Sequence, residues 1–294
     1  MRFDSYHPTI NFIFFAAAIG FTVAFDHPVF VAVSYIASFA YSVKLNKIRG
    51  LIFDLCLIPL IVLYAGFYSY YNHFGVTPLR RNFIGNNITL EALMYGLILG
   101  MTIAALIMWL SCLFAVFSSD KVVYLFGRVS PKLSLFLSII LRSVPRIKER
   151  ARRINVSQKG IGRGVGDGNI FRRFINVLRL LSILITWTLE NFVESARSMK
   201  CRGYSLKGRT AFSIYRFDNR DRSFVVGVCA CLTLIVMAIM LDQTWIYYDP
   251  EIIMNRITVV SYVFYAAYAV LLLMPMGLQI IGEYKFKKLS SNNV

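Results

Sequence analysis

The chain has 294 residues, of which 57% are hydrophobic and only 16% charged, and its mean hydropathy is +0.60. Soluble domains carry about 25% charged residues, so this composition excludes an ordinary soluble enzyme and calls for lipid as part of the solvent. The 32 Lys and Arg exceed the 15 Asp and Glu by 17, a surplus that suits nucleic acid, anionic lipid or an acidic protein partner.

Met1 to Pro8 contains Arg2 and Asp4 and runs into a long apolar stretch without a small-residue cleavage site. This predicts a retained membrane helix rather than a signal peptide. A helix that crosses about 30 Å of hydrocarbon needs roughly 20 mostly apolar residues. On that measure the chain offers six candidate spans, at 9–25, 29–43, 51–71, 90–117, 224–241 and 258–281. The first two are short and separated by Asp26-His27-Pro28, as a tight helical hairpin would be.

Loop charge orients the spans. The connection from Lys44 to Arg49 holds three basic residues and no acid, and the tail carries Lys285, Lys287 and Lys288. The first and fifth connections instead carry Asp26, and Asp242, Asp249 and Glu251. Lys and Arg favour the cytoplasm, so both termini and residues 128–222 are predicted to lie inside, at the plasma or inner membrane. Arg80 and Arg81 run against this pattern.

Residues 128–222 hold 21 Lys and Arg against 6 Asp and Glu, which is +15 of the net +17. The predicted organisation is therefore 1–127 with about four spans, 128–222 as a basic module, and 223–294 with two spans. In the basic module, apolar residues recur at three- and four-residue steps from Leu133 to Ile154, with Pro145 inside the run predicting a kink or a break. Five glycines from Gly160 to Gly168 read as a flexible hinge. A second amphipathic helix follows from about Phe171 to Lys200, its stripe built on Phe174, Val177, Leu178, Leu181, Ile185, Leu189, Phe192 and Val193. The fold class is all-α: a polytopic membrane protein with two long amphipathic cytoplasmic helices.

Chemistry is sparse. His7, His27 and His73 sit at predicted span ends, and the spans contain no paired carboxylates. Of the acids within the spans, only Asp54 reads as an intramembrane charge that could mark an ion path, since Glu91 sits at the very start of its span; this is too little for an ion relay. Cys229 and Cys231, two apart, point to different helix faces and lack metal-ligand spacing, so no metal site is expected. The segment from Gly203 to Thr210 nearly spells a phosphate-binding loop, but it has Arg209 where Lys belongs and follows a helix rather than a strand. Aromatic residues of the module, Phe174 and Phe192 among them, fall on the apolar stripe, so packing explains them better than stacking on nucleic-acid bases. A secondary transporter would show internal repeats, and a lipid-modifying membrane enzyme buried polar clusters; neither pattern is visible in the sequence.

One pair of segments goes further. Leu141-Arg142-Ser143-Val144-Pro145-Arg146-Ile147 leads through Ala151-Arg152-Arg153-Ile154 to Gln158-Lys159-Gly160-Ile161-Gly162 at the end of the first helix. The second closes on Ala196-Arg197-Ser198-Met199-Lys200-Cys201-Arg202-Gly203-Tyr204. Two long helices, each with a short Ala-Arg-Gly-like ending, resemble the transmembrane T component of energy-coupling-factor (ECF) transporters. The likeness runs over essentially the whole chain, and Ser5-Tyr6-His7-Pro8 is similar to the family's start. The resemblance implies a non-enzymatic scaffold of an ABC-class importer of vitamins or metal ions. Its partners would be two cytoplasmic ABC ATPases, on which the signatures dock, and a membrane S component that captures substrate. ATP and Mg would be bound by the ATPases and no cofactor by this chain. Docking would fall to Cys201, Arg202 and Gly203 at the second signature, with Cys201 replacing Ala. The first signature becomes Gly160-Ile161-Gly162 and lacks the central Arg, for which Lys159 or Arg163 is a neighbouring substitute.

Overall fold

Two histidine–proline pairs start the first two helices. In α1 (Pro8–Ala24) and α2 (Pro28–Tyr71) proline occupies the first turn, where its missing N–H costs nothing. The preceding His7 and His27 accept through Nδ1 from the backbone N–H of Thr9 and Val29, each at 3.3 Å. A computed structural model describes residues 3–81, 87–204, 206, 215 and 217–291. It divides into two compact units, Met1–Ser118 with Tyr215–Val294, and Ser119–Ile214.

In the first unit α2 holds 44 residues. If straight, such a helix would be about 66 Å long, twice the hydrocarbon thickness. It is not straight: Lys47 has φ 55° and ψ −136°, a left-handed break within the helix. Ser42 Oγ donates to Asp54 Oδ1 at 3.1 Å, although twelve residues of helix would separate them by about 18 Å. The chain therefore reverses at Lys47, and α2 supplies two of the expected spans. Gly50 permits this reversal, since a Cβ there would lie 2.9 Å from the Ser42 carbonyl oxygen.

The remaining helices of this unit are α3 (Leu90–Val116), α7 (Asn219–Met240) and α8 (Val259–Ser291). With α2 they form four helices long and apolar enough to cross a membrane, and α1 is a shorter apolar helix. Gly96 and Gly100 of α3 form a small-xxx-small face against Ala65 and Ile61, whose carbonyl oxygens would lie only 3.1 and 3.2 Å from a Cβ placed at the two glycines. Around Trp109 of α3 the core gathers Phe14 and Phe15 of α1, Tyr41 of α2, Phe224 of α7 and Leu271 of α8. Lipid demands that polar groups in such a core find partners. Trp109 Nε1 donates to Ser34 Oγ at 3.2 Å, and Ser34 shares a 2.6 Å hydrogen bond with Thr22.

Contacts sort the connections to two ends of this unit. Lys44 Nζ lies 2.6 Å from Glu283 Oε2, so the basic connection at Lys44–Arg49 meets the end of α8. Phe3 packs on Phe224, which brings the N-terminal segment to the start of α7. At the other end the Tyr248 hydroxyl donates to the Asp26 carbonyl at 2.8 Å. Two small antiparallel pairs that periodicity did not reveal complete the loops: β1 (Pro78–Arg81) with β2 (Asn87–Thr89), and β3 (Ile246–Tyr247) with β4 (Ile253–Met254). The β1 strand carries Arg80 and Arg81.

His27 gives this end a pH dependence. Burial holds its imidazole below the usual histidine range, and charging it would also remove the acceptor that caps α2. A depressed histidine contributes stability that is complete above its unfolded value of about 6.5 and is lost as pH falls below it. The melting temperature in detergent is expected to drop between pH 7 and 5, and His27→Asn, which keeps a capping acceptor but does not titrate, is expected to flatten that profile.

The second unit contains α4 (Ser119–Val129), α5 (Pro131–Gly160) and α6 (Ile170–Cys201). It begins ahead of the expected residue 128 because α4, not apparent from the sequence, packs on α5: Ser134 Oγ donates to the Val123 carbonyl at 3.3 Å. α5 runs through Pro145 as one helix, so the proline does not break it. Within this unit α6 buries no residue, and Phe174, Leu181 and Leu189 of its stripe stay exposed.

Candidate functional site

The two signatures end their helices in the same way. At the second, Arg202 is the C-cap, and Gly203 follows with φ +77°, a left-handed conformation that glycine adopts without penalty. The Gly203 N–H donates to the Lys200 carbonyl at 3.1 Å and the Tyr204 N–H to the Met199 carbonyl at 3.2 Å. This pair of bonds is a Schellman motif. At the first signature Ile161 is the C-cap and Gly162 has φ +72°. There the Gly162 N–H donates to the Lys159 carbonyl at 3.0 Å and the Arg163 N–H to the Gln158 carbonyl at 2.9 Å.

Superposing the two caps by role fixes the correspondence between them. Gly160 matches Cys201, Ile161 matches Arg202, Gly162 matches Gly203, and Lys159 matches Lys200. The aligned position of the missing arginine is thus occupied by Ile161, which is 68% exposed. Arg163 matches Tyr204, one position beyond the glycine. Cys201, Arg202, Lys159 and Arg163 are all exposed. The two tips stand at opposite ends of α6, whose 32 residues span roughly 48 Å at 1.5 Å per residue. They cannot share one small contact.

The glycine-rich segment between the helices is not the slack hinge that its composition suggests. Gly164 is buried; its N–H donates to Asp167 Oδ2 at 3.0 Å, and its carbonyl accepts from Asn176 Nδ2 at 2.9 Å. The Val165 N–H donates to Asn155 Oδ1 at 3.1 Å. Asn155 on α5 and Asn176 on α6 therefore clamp the loop from both sides, and composition alone hid them because glycine spacing dominates the reading. Removing either amide strands a loop group at a cost of about 1–3 kcal/mol. Asn155→Ala with Asn176→Ala is expected to speed hydrogen exchange over 161–168 without altering exchange in α7 or α8.

Farther along, α5 and α6 meet around a small cavity of about 140 Å³ lined by Ile139, Arg142, Arg146, Trp187, Asn191 and Met199, among others. Next to it the Arg150 guanidinium sits 4.6 Å from the Trp187 ring centroid, a cation–π contact that adds about 0.5–1 kcal/mol or more as it dries. These contacts, with the clamped loop, hold one helix against the other within the unit. Cys229 is exposed and Cys231 buried, on different faces of α7. Among the described residues no group of histidine, cysteine and carboxylate side chains is placed to hold a metal. Ser205, Lys207 to Thr210 and Phe212 lie outside the described residues.

The family model CbiQ, described as Cobalt transport protein, matches residues 5–212. The chain is 29% identical over 107 residues to the energy-coupling factor transporter transmembrane protein EcfT of Lactococcus lactis subsp. cremoris, covering 36% of this chain and 40% of that one. It is 32% identical over 107 residues to EcfT of Lacticaseibacillus paracasei, with the same coverage. To EcfT of Bacillus selenitireducens it is 31% identical over 108 residues, again 36% and 40% of the two chains. The matched stretch spans about two fifths of the length of these curated relatives.

Proposed function

The chain belongs to the CbiQ family of cobalt transport proteins, and from that premise we propose that it is the transmembrane coupling subunit, the T component, of an ECF-type importer. In this reading it is a scaffold and not an enzyme. Two cytoplasmic ABC ATPases bind ATP and Mg and dock on the two signature tips, and a membrane S component captures a vitamin or metal ion. The single observation that carries the reading is the repeated cap: two helices of one unit end in the same Schellman motif, exposed and roughly 48 Å apart. Left-handed caps end many helices; what suits two partners side by side is that both signature-bearing tips are exposed at that spacing.

The physics of transmission follows. A displaced ATPase pulls on a tip, and the clamped loop, the Arg150–Trp187 contact and the unbroken α5 pass the motion along the helices rather than dissipating it in the turn. The basic connection, the end of α8 and the N-terminal segment share one end of the membrane unit. The bias of Lys and Arg toward the cytoplasm supports placing that end, and the +15 module, inside the cell, where ATP is available.

Co-purification tests this directly. A tagged chain extracted in mild detergent is expected to bring down ATPase-fold subunits and a small membrane protein, and the assembly to hydrolyse ATP. A chain that purifies alone from its native host, stable and active in transport without ATP, would overturn the reading.

A further inference from the structure

The shared cap register makes the asymmetry of the two tips concrete: where the second presents Arg202, the first presents Ile161. Directly behind Ile161 lies a concavity of about 420 Å³ formed by the loop and the first turns of α6. Three arginines line it, Arg163 from the loop and Arg172 and Arg179 from α6. Arg172 and Arg179 are seven residues apart, two turns on one helix face, and Asn176 between them is committed to the Gly164 carbonyl. The concavity has one acid, Asp167, whose Oδ2 accepts from the Gly164 N–H. Among the described residues no ion pair engages any of the three arginines.

Like charges held around one concavity repel one another, and the clamped loop keeps them there. Such a group is relieved by an incoming anion. Guanidinium forks favour a carboxylate, which they grip through paired N–H donors. The rim decides the source: Ile161 is 68% exposed at the lip, so a surface that covers this apolar side chain also closes the socket. A protein surface does both; a free anion does only the second.

We propose that the arginine missing from the first signature is supplied by α6, and that Arg172 and Arg179, with Arg163, form a socket for an acidic side chain of the docked ATPase. The proposal rests on the docking reading above and sharpens it. The first tip inserts an apolar residue and receives a carboxylate, whereas the second offers an arginine outright. The two tips therefore fit partner surfaces of different relief.

The test uses the full chain in nanodiscs with its own ATPase subunits, and reads their dissociation rate at several salt concentrations. Arg172→Gln with Arg179→Gln is expected to speed dissociation about thirtyfold or more at every salt concentration, since the charge pair that is lost is buried in the complex and little screened. Both side chains are exposed, and the conservative double substitution, Arg172→Lys with Arg179→Lys, is expected to restore part of the loss. An unchanged rate in the Gln pair, while Arg202→Glu weakens binding, would overturn the socket and leave docking intact. No effect from either would overturn both. Inorganic phosphate that raises the melting temperature of the lone chain, through Arg172 and Arg179 but without any change in ATPase retention, would also overturn it.

Discussion

Replacing Arg202 by glutamate is expected to abolish transport while leaving the chain folded in its membrane. The backbone N–H of Arg202 donates to the Ser198 and Met199 carbonyls, so the cap survives the loss of its side chain. Gly203 still supplies the left-handed turn. The side chain itself is exposed, and surface changes of this kind usually move stability by about 0.5 kcal/mol or less. A new carboxylate at a helix C-terminus opposes the macrodipole by about 0.3–1 kcal/mol, which a helix of 32 residues tolerates. Docking is different. Losing one member of a buried charge pair costs about 2–5 kcal/mol, a factor of roughly thirty to several thousand in affinity, and the reversed sign adds repulsion. Uptake by cells is the readout, with membrane abundance as the control. Arg202→Lys keeps the charge without the planar fork and is expected to fall between the two.

Gly50→Val is expected to have the largest effect on folding. The reversal within α2 brings Gly50 against the preceding half of the helix, where a Cβ would meet Asn46 Cβ at 2.8 Å and the Ser42 carbonyl oxygen at 2.9 Å. Neither neighbour can turn aside: a Cβ is fixed by its own backbone, and the carbonyl belongs to a helix. Separating the two halves would pull Ser42 from Asp54, a carboxyl group buried at 0% exposure. Overpacking costs about 1–3 kcal/mol, and stranding a buried polar group adds about 1–3 more. Against a typical stability of about 5–15 kcal/mol, that is enough to lower the yield of folded protein. Fluorescence-detected size exclusion after mild extraction is expected to show an aggregated or absent peak. Gly66→Val, where a side chain would meet nothing within 4 Å, serves as the control and is expected to behave as wild type.

Sequence patterning reveals the membrane spans because lipid imposes long apolar runs, and the Lys44–Arg49 cluster marks the place where α2 breaks. It also marks the two signatures, since Gly203 and Gly162 are the residues that left-handed caps favour. What it misses depends on contacts between distant residues. Asn155 and Asn176 are ordinary polar positions on helices until the loop folds between them. Arg172 and Arg179 look like a solvated face until Arg163 joins them across the turn. The amphipathic α4 hides directly behind the fourth span, although Asp120 and Lys121 interrupt the apolar run there. His7 and His27 read as interfacial polar groups, and their capping role is legible in principle from the proline that follows each.

The chain carries its own probe for docking. Cys201, next to Arg202, is an exposed free thiol at the second tip. Maleimide labelling of Cys201, followed peptide by peptide in a mass spectrometer, measures whether a partner covers that tip. In the assembled transporter Cys201 is expected to resist labelling, and to react freely once the ATPase subunits are stripped away. Equal labelling rates in the two states would contradict docking at Arg202 and Gly203.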